Sequence, residues 1–197
     1  MGKIVNFDQL LVPIIKLVAP LFFNKKYLCG RHFDKSTIGW TWVLRGIIWQ
    51  KIFGFNRHVP WPVSPFIVIS NPNNIEFDVD NLDNFNLSFG NYFQNFKGMI
   101  IIGKGTYIAP NVGIITANHD PKNLECYSTV KNVTIGQNCW IGINSVLLPG
   151  VYLGDRTVVG AGSVVTKSFR EGNCIIAGNP AKIIKKIETG GDNNVKY

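Results

Sequence analysis

From about residue 100 onward, the apolar positions keep step with neither a helix nor an alternating strand. Branched aliphatics recur at every sixth position at Ile135, Ile141, Leu147, Leu153, Val159 and Val165, and upstream at Ile102, Ile108 and Ile114. The next residue is Gly at 103, 136, 142, 154 and 160, and at the fourth position on stand Thr106, Val112, Cys139, Ser145, Val151, Thr157 and Ser163. Ile69 and Ile75 open the series more weakly. A helix repeats at about 3.6 residues and a half-buried strand at about 2. A period of six therefore means short strands joined by turns, each presenting one bulky and one small side chain inward. Three hexads close one coil with three flat faces, and stacked coils pair their backbones in parallel around aliphatic ladders. The pattern predicts a mainly β chain built as a parallel β-helix over residues 63–186.

Residues 36–57 follow helical spacing instead. Trp40, Leu44, Ile47, Ile48 and Ile52 fall three and four apart, Arg45, Gln50 and Lys51 lie largely on other faces, and Pro60 and Pro62 end the run. Trp40, Trp42, Trp49 and Trp61, four of the five tryptophans, cluster here.

Composition sharpens this division. The chain has 197 residues, one ordinary domain's worth, and only 16% are charged, which argues against a helix-dominated surface. Twenty Gly and 21 Asn supply tight turns. The net charge of +8 is concentrated: residues 1–62 hold nine Lys/Arg against two Asp, or +7. The chain thus reads as a basic, Trp-rich helical arm (1–62), a nearly neutral β-helix (63–186) and a flexible tail (187–197). Such an arm suits a bilayer interface or a cap over the open end of the β-helix. Nucleic acid is disfavoured, because no known binding module accompanies the charge. The apolar run from Leu10 to Phe23 is interrupted by Pro13, Lys16 and Pro20 and is too short to span about 30 Å of hydrocarbon. It has no signal-peptide cleavage site, and MGKIVN lacks the Ser/Thr of a myristoylation signal. Cys29, Cys126, Cys139 and Cys174 show no CxxC spacing and read as reduced thiols of a cytoplasmic protein, possible contact with the inner face of a membrane resting on the arm.

The six-residue grid breaks once. His119 closes the hexad begun at Ile114, and Asp120 to Asn132 form a polar extrusion before spacing resumes at Val133. Polar loops on rigid scaffolds are where function concentrates. His119 is the only histidine of the repeat region; His32 and His58 lie in the arm. An imidazole titrates near neutral pH and can take a proton from an attacking alcohol. No GxSxG nucleophile signature is present, which favours direct transfer. Gly98 to Lys104 spells GxxxxGK, but Gly105 stands where a P-loop needs Ser or Thr. Asp78 to Asp83 has Leu82 where a calcium loop needs Asp or Asn, and one histidine is too few for a three-histidine metal site, so no metal is expected.

Four stretches, Ile114–Asp120, Asn138–Gly142, Val159–Lys167 and Ala177–Lys182, resemble the hexapeptide-repeat acetyltransferases. The resemblance implies a left-handed β-helix, acetyl-CoA as acyl donor and a homotrimer with sites between subunits. It casts His119 as general base. Trp140 would line the pantetheine, Ile143 would offer backbone where relatives often carry Ser, and Ala161 would leave room for the arm of CoA. Thr166 and Lys167 would approach the nucleotide, and Lys182 its phosphates. Tyr92, Asn95 and Asp120 are the acceptor-side candidates, although no carboxylate follows Asn95 before Ile102. The Trp-rich arm is similar to those of capsular, exopolysaccharide and O-antigen O-acetyltransferases; galactoside and maltose acetyltransferases are more distant. The expectation is O-acetylation of a surface-polysaccharide sugar carried on lipid. The alternatives are acetylation of a small free sugar or antibiotic, or a scaffold that no longer binds CoA.

Overall fold

The computed structural model describes residues 7–188; most of the tail expected at the end of the chain lies outside that range. The arm starts with α1 (Phe7–Val18) and a short α2 (Arg31–Asp34). It continues with α3 (Ile38–Gly46), prolonged by a π-helical segment over Ile47–Ile52. The helix expected over 36–57 is thus shorter, and its inner face is not the expected one. A π-turn holds an extra residue, which rotates every later side chain about the axis. Gln50, expected outside, is fully buried; it donates to the Trp61 carbonyl at 3.1 Å and accepts from the Val63 amide at 2.9 Å. Ile48 and Ile52, expected inside, are exposed. Trp40, Trp42 and Trp61 are buried, and Trp49 alone of the four is exposed.

The β-helix strands follow in chain order: β1 (Val68–Ile69), β2 (Ile75–Phe77), β3 (Tyr92–Gln94), β4 (Ile100–Ile102), β5 (Tyr107–Ile108) and β6 (Gly113–Ile115). A hairpin then projects, β7 (Ala117–Asp120) and β8 (Asn123–Val130). The coils resume with β9 (Val133–Ile135), β10 (Trp140–Ile141), β11 (Val146–Leu147), β12 (Tyr152–Leu153), β13 (Thr157–Val159) and β14 (Val164–Val165), and finish with β15 (Cys174–Ala177) and β16 (Lys182–Lys186). They form three faces: β1, β3, β6, β11 and β14 on the first, β2, β4, β9 and β12 on the second, and β5, β10, β13 and β15 on the third, where β16 adds antiparallel.

The register reports the coil length. Trp140 pairs with Val158 and Val146 with Val164, so a regular coil takes three hexads, as the grid predicts. Ile100 pairs with Val133 across the projecting hairpin, so that coil exceeds a regular one by the length of the insertion, and the first coil, where Ile75 pairs with Ile100, is also longer than three hexads. All eleven aliphatics of the grid, from Ile69 to Val165, are buried, as are the small residues Thr106, Cys139, Ser145, Thr157 and Ser163. Glycine follows many of these aliphatics because the next rung leaves no room: a Cβ on Gly103 would come within 2.4 Å of the Gly136 carbonyl carbon.

The arm covers the N-terminal end of the prism. One continuous core runs from Val12, Phe23, Trp42 and Val43 through Trp61 and Val63 to Ile67 and Phe85. Arg45 fastens it by donating to the side-chain oxygen of Asn86 at 2.6 Å. In the first coil the third face carries no strand; a 3₁₀ segment, Val79–Phe85, takes its place. Asn81 and Asn84 there imitate a neighbouring backbone. Asn81 bonds the Gly103 carbonyl and Gly105 amide at 2.7 and 2.9 Å, and Asn84 the Thr106 carbonyl and Ile108 amide, both at 2.8 Å. The exposed edge of β5 is thereby satisfied without another strand. Among the described residues, no helix is long and apolar enough to cross a membrane.

Candidate functional site

The extrusion expected from Asp120 to Asn132 is an ordered antiparallel hairpin that starts at Ala117, on the edge between the first and second faces. Its base is locked from the coil above. The buried Gln94 amide accepts from the Thr116 and Ala117 amides, both at 3.0 Å, and donates to the Ala117 carbonyl at 3.0 Å. Phe96 packs on Tyr127 with ring centroids 5.0 Å apart, and the Lys97 ammonium lies 4.6 Å from the same ring.

His119 sits on β7 with its ring exposed. Tyr127 lies across from it, ring centroids 4.7 Å apart, and Nδ1 is bonded to the backbone carbonyl of Leu124. A carbonyl only accepts, so Nδ1 carries the hydrogen and the lone pair is on Nε2. In its neutral form the ring therefore turns its basic nitrogen outward, and Nε2 has no hydrogen-bond partner among the described residues. Asp120, expected on the acceptor side, accepts the Lys122 amide at 2.9 Å and so shapes the hairpin turn.

The other expected residues divide between two edges. Thr166 and Lys167 follow β14 and lie exposed on the hairpin's own edge. Ile143 and Ala161 lie on the edge between the third and first faces, stacked through a 2.8 Å bond from the Gly162 amide to the Ile143 carbonyl. Trp140 projects beside them from the third face, 59% exposed, and Lys182 lies farther along that face in β16. Tyr92 stands exposed on the first face, between the two edges. A single copy does not bring His119 to Trp140, Ile143 and Ala161.

Asn95 needs correction as an acceptor-binding candidate. It is fully buried; its oxygen accepts the Asn71 amide at 3.0 Å, and its nitrogen donates to the Asn71 and Asn74 carbonyls at 2.7 and 3.1 Å. Its neighbour Gln94, passed over in the sequence, is the amide that supports the hairpin. One basic residue also escaped notice: Arg170, with Lys186, joins Lys167 around a cavity of about 450 Å³ at the C-terminal end. The edge that carries Ala161 is open, since a Cβ on Gly162 would meet nothing within 4 Å. Glu171 also lines the C-terminal cavity, with its carboxylate 3.7 Å from the Lys186 ammonium.

Comparison with known proteins bears on this geometry. Residues 132–167 match the family model described as bacterial transferase hexapeptide (six repeats). The galactoside O-acetyltransferase of Escherichia coli K12 is 38% identical over 130 residues, 64% of this chain and 60% of that protein. WbbJ of the same organism, provisionally named for O-acetyl transfer in lipopolysaccharide biosynthesis, is 42% identical over 103 residues, 44% of this chain and 50% of that protein. The chain thus spans between half and three-fifths of the length of these relatives. Among solved structures, a hexapeptide-repeat acetyltransferase of Vibrio cholerae in complex with acetyl-CoA aligns with a TM-score of 0.50 at 24% identity, over 62% of this chain and 68% of that one, a likeness of fold. The fold class is the left-handed parallel β-helix.

Proposed function

The chain belongs to the hexapeptide-repeat transferase family, and from that premise we propose that it is an acetyl-CoA-dependent O-acetyltransferase acting on a sugar hydroxyl in surface-polysaccharide biosynthesis. The observation that carries this reading is the exposed imidazole of His119, held by the Leu124 carbonyl with Nε2 outward. Nε2 takes the proton of the sugar hydroxyl as its oxygen attacks the thioester carbonyl. Collapse of the tetrahedral species breaks the C–S bond, and the imidazolium returns the proton to the departing thiolate. No covalent enzyme intermediate is needed.

The separation of His119 from Trp140, Ile143 and Ala161 supports a homotrimer in which one copy supplies the imidazole and its neighbour the CoA groove. Lys167, with Arg170 and Lys186 beside it, would meet the nucleotide phosphates, and Thr166 and Lys182 would flank that end. The names of the galactoside enzyme and of WbbJ favour a sugar acceptor, and the second favours a polysaccharide precursor.

The arm extends the reading to a lipid-carried acceptor. Three tryptophans are buried, so the membrane contact would rest on other groups. Leu17 and Leu21 are each 80% exposed, Ile52 and Phe53 are exposed too, and Lys16, Lys25, Lys26 and Lys51 belong to the same helical arm. The deciding experiment is a mass-spectrometric screen of carbohydrate acceptors with labelled acetyl-CoA. Acetylated sugar appearing only with enzyme supports the proposal. Absence of any thermal stabilisation by saturating CoA returns the chain to the scaffold reading.

A further inference from the structure

We propose that Tyr107 and Asp83 form the subsite that holds the acceptor sugar; the inference rests on the acetyl-transfer reading. The groove proposed for CoA continues one rung toward the N-terminus. Tyr107 is the register partner of Trp140, and the turn bearing Pro110 lies on the next one through a 3.2 Å bond from the Asn144 amide to the Pro110 carbonyl. Tyr107 also belongs to the coil that ends at His119, so it stands level with the proposed base, whereas Trp140 lies one rung below. With the nucleotide end of CoA toward Lys167, an acceptor must approach the acetyl group from the Tyr107 side.

The strandless first coil creates a recess there. The 3₁₀ segment Val79–Phe85 brings Asp83 against Tyr107, and a cavity of about 150 Å³ opens among Asp83, Asn84, Leu87, Ser88, Tyr107 and Pro110. A second concavity lies on the other side of the Tyr107 ring, between it and Trp140. Tyr107 is 50% exposed. Arg31 of the arm fixes both groups: it donates to Asp83 Oδ2 at 2.7 Å and to the Tyr107 hydroxyl at 3.3 Å. Ser88 already accepts from the Asn91 side chain at 3.0 Å, which leaves its O–H free to donate.

An exposed aromatic face next to a fixed carboxylate and a hydroxyl matches a pyranose ring, whose C–H face is apolar and whose rim donates and accepts hydrogen bonds. Asp83 Oδ2 is paired with Arg31, and its Oδ1 accepts the Asn84 amide at 3.2 Å and lies 3.9 Å from His32 Nε2, so the carboxylate is met from within the protein and the class the recess fits is a neutral sugar.

The test measures acetyl transfer to a panel of neutral and acidic methyl glycosides, then the acceptor KM of the best one for wild type, Tyr107→Ala, Tyr107→Phe and Asp83→Asn, with CoA affinity measured on each protein. A neutral glycoside should be preferred. Tyr107→Ala and Asp83→Asn should raise its KM about tenfold or more, the loss of one buried contact. Tyr107→Phe, which keeps the ring, should stay within about threefold, and CoA affinity should hold in all. If Asp83→Asn does not fold, the two Tyr107 variants decide alone. An unchanged acceptor KM in Tyr107→Ala with transfer intact overturns the subsite and spares the acetyltransferase reading. Preference for acidic sugars, or CoA binding without transfer to any glycoside, overturns the sugar class. Loss of CoA binding in the wild type brings down the parent reading itself.

Discussion

His119 is bonded through Nδ1 to the main-chain carbonyl of Leu124, on the opposite strand of the same hairpin. The base proposed for acyl transfer is therefore oriented by backbone, and its tautomer follows from the carbonyl's inability to donate. Replacement by Ala should remove the proton acceptor and little else, because the ring is exposed and the hairpin is held by backbone pairing and Gln94. Acetyl transfer, followed as thiol release from acetyl-CoA, should fall by about 10² or more. Stabilisation by CoA and the melting temperature should match wild type. Turnover near normal would remove His119 from the mechanism.

His119 and Ala161 lie on different edges of one prism, and this makes the shared-site proposal testable without coordinates of an oligomer. Ala161→Trp should fill the CoA groove of the copy that carries it, leaving that copy's imidazole intact. His119→Ala does the reverse. Each variant alone should be inactive, whereas co-expressed and co-purified copies should regain transfer at about a quarter of the interfaces of randomly assembled trimers. Mixed oligomers with no activity would mean that each copy contains its own complete site.

The glycines of the repeat are not equivalent. A Cβ at Gly142 would lie 2.7 Å from the Ala161 amide nitrogen and from the Val159 carbonyl oxygen, all main chain of the next rung. A Cβ at Gly113 meets only the Val146 methyls, at 3.8 Å, and the Ile115 side chain at 3.9 Å. Gly142→Ala should cost about 1–3 kcal/mol by overpacking, whereas Gly113→Ala should be neutral or stabilise by up to about 1 kcal/mol. Denaturation by urea separates the two. Equal effects would contradict the tight rung spacing at the Gly142 turn.

The grid of Ile135, Ile141, Leu147 and their successors was readable because every coil repeats the same environment, so each position testifies for its counterpart on the next rung. The first coil was not, because its third face is built from the side chains of Asn81 and Asn84 and has no strand, and an Asn in a polar segment carries no mark of that work. The arm misled for a different reason. Periodicity assumes a constant turn, and the π-helical segment at Ile47–Ile52 shifts the phase, sending Gln50 in and Ile52 out. The hairpin that carries His119 was legible from the place where the grid breaks. Asn95 and Gln94 are adjacent amides of like chemistry, and only burial and partners separate their roles.

Gln94 offers a check on that last distinction. Gln94→Leu keeps the volume but strips the Thr116 and Ala117 amides and the Ala117 carbonyl of the side chain that bonds them. Unsatisfied buried groups cost about 1–3 kcal/mol each, partly relieved here by the 3.1 Å bond from the Thr116 amide to the Gln94 carbonyl. Stability should drop by about 2 kcal/mol in urea, and kcat should fall more than KM for acetyl-CoA, since the hairpin carrying His119 loses its anchor. A variant as stable and active as wild type would show that the hairpin needs no such support.

The outer surface of the arm poses the remaining question, whether it meets lipid or only covers the prism. Covering the prism uses Val12, Ile15, Phe23, Trp40, Trp42 and Val43, all buried, and does not require Leu17, Leu21, Ile52 or Phe53 to be apolar. Water contact at these four positions goes without compensation within the described chain, and the arm's charge of +7 is of the sign that anionic headgroups attract. Vesicles containing phosphatidylglycerol should therefore pull the full chain into the pellet, and neutral phosphatidylcholine vesicles should do so less. Leu21→Glu with Phe53→Glu should weaken that partitioning at least about tenfold, since burying each native side chain contributes about 1.5–3 kcal/mol. The melting temperature should stay unchanged, because neither residue belongs to the core. Wild type left in the supernatant with anionic vesicles, or a double variant that pellets equally well, would make the arm a cap and nothing more.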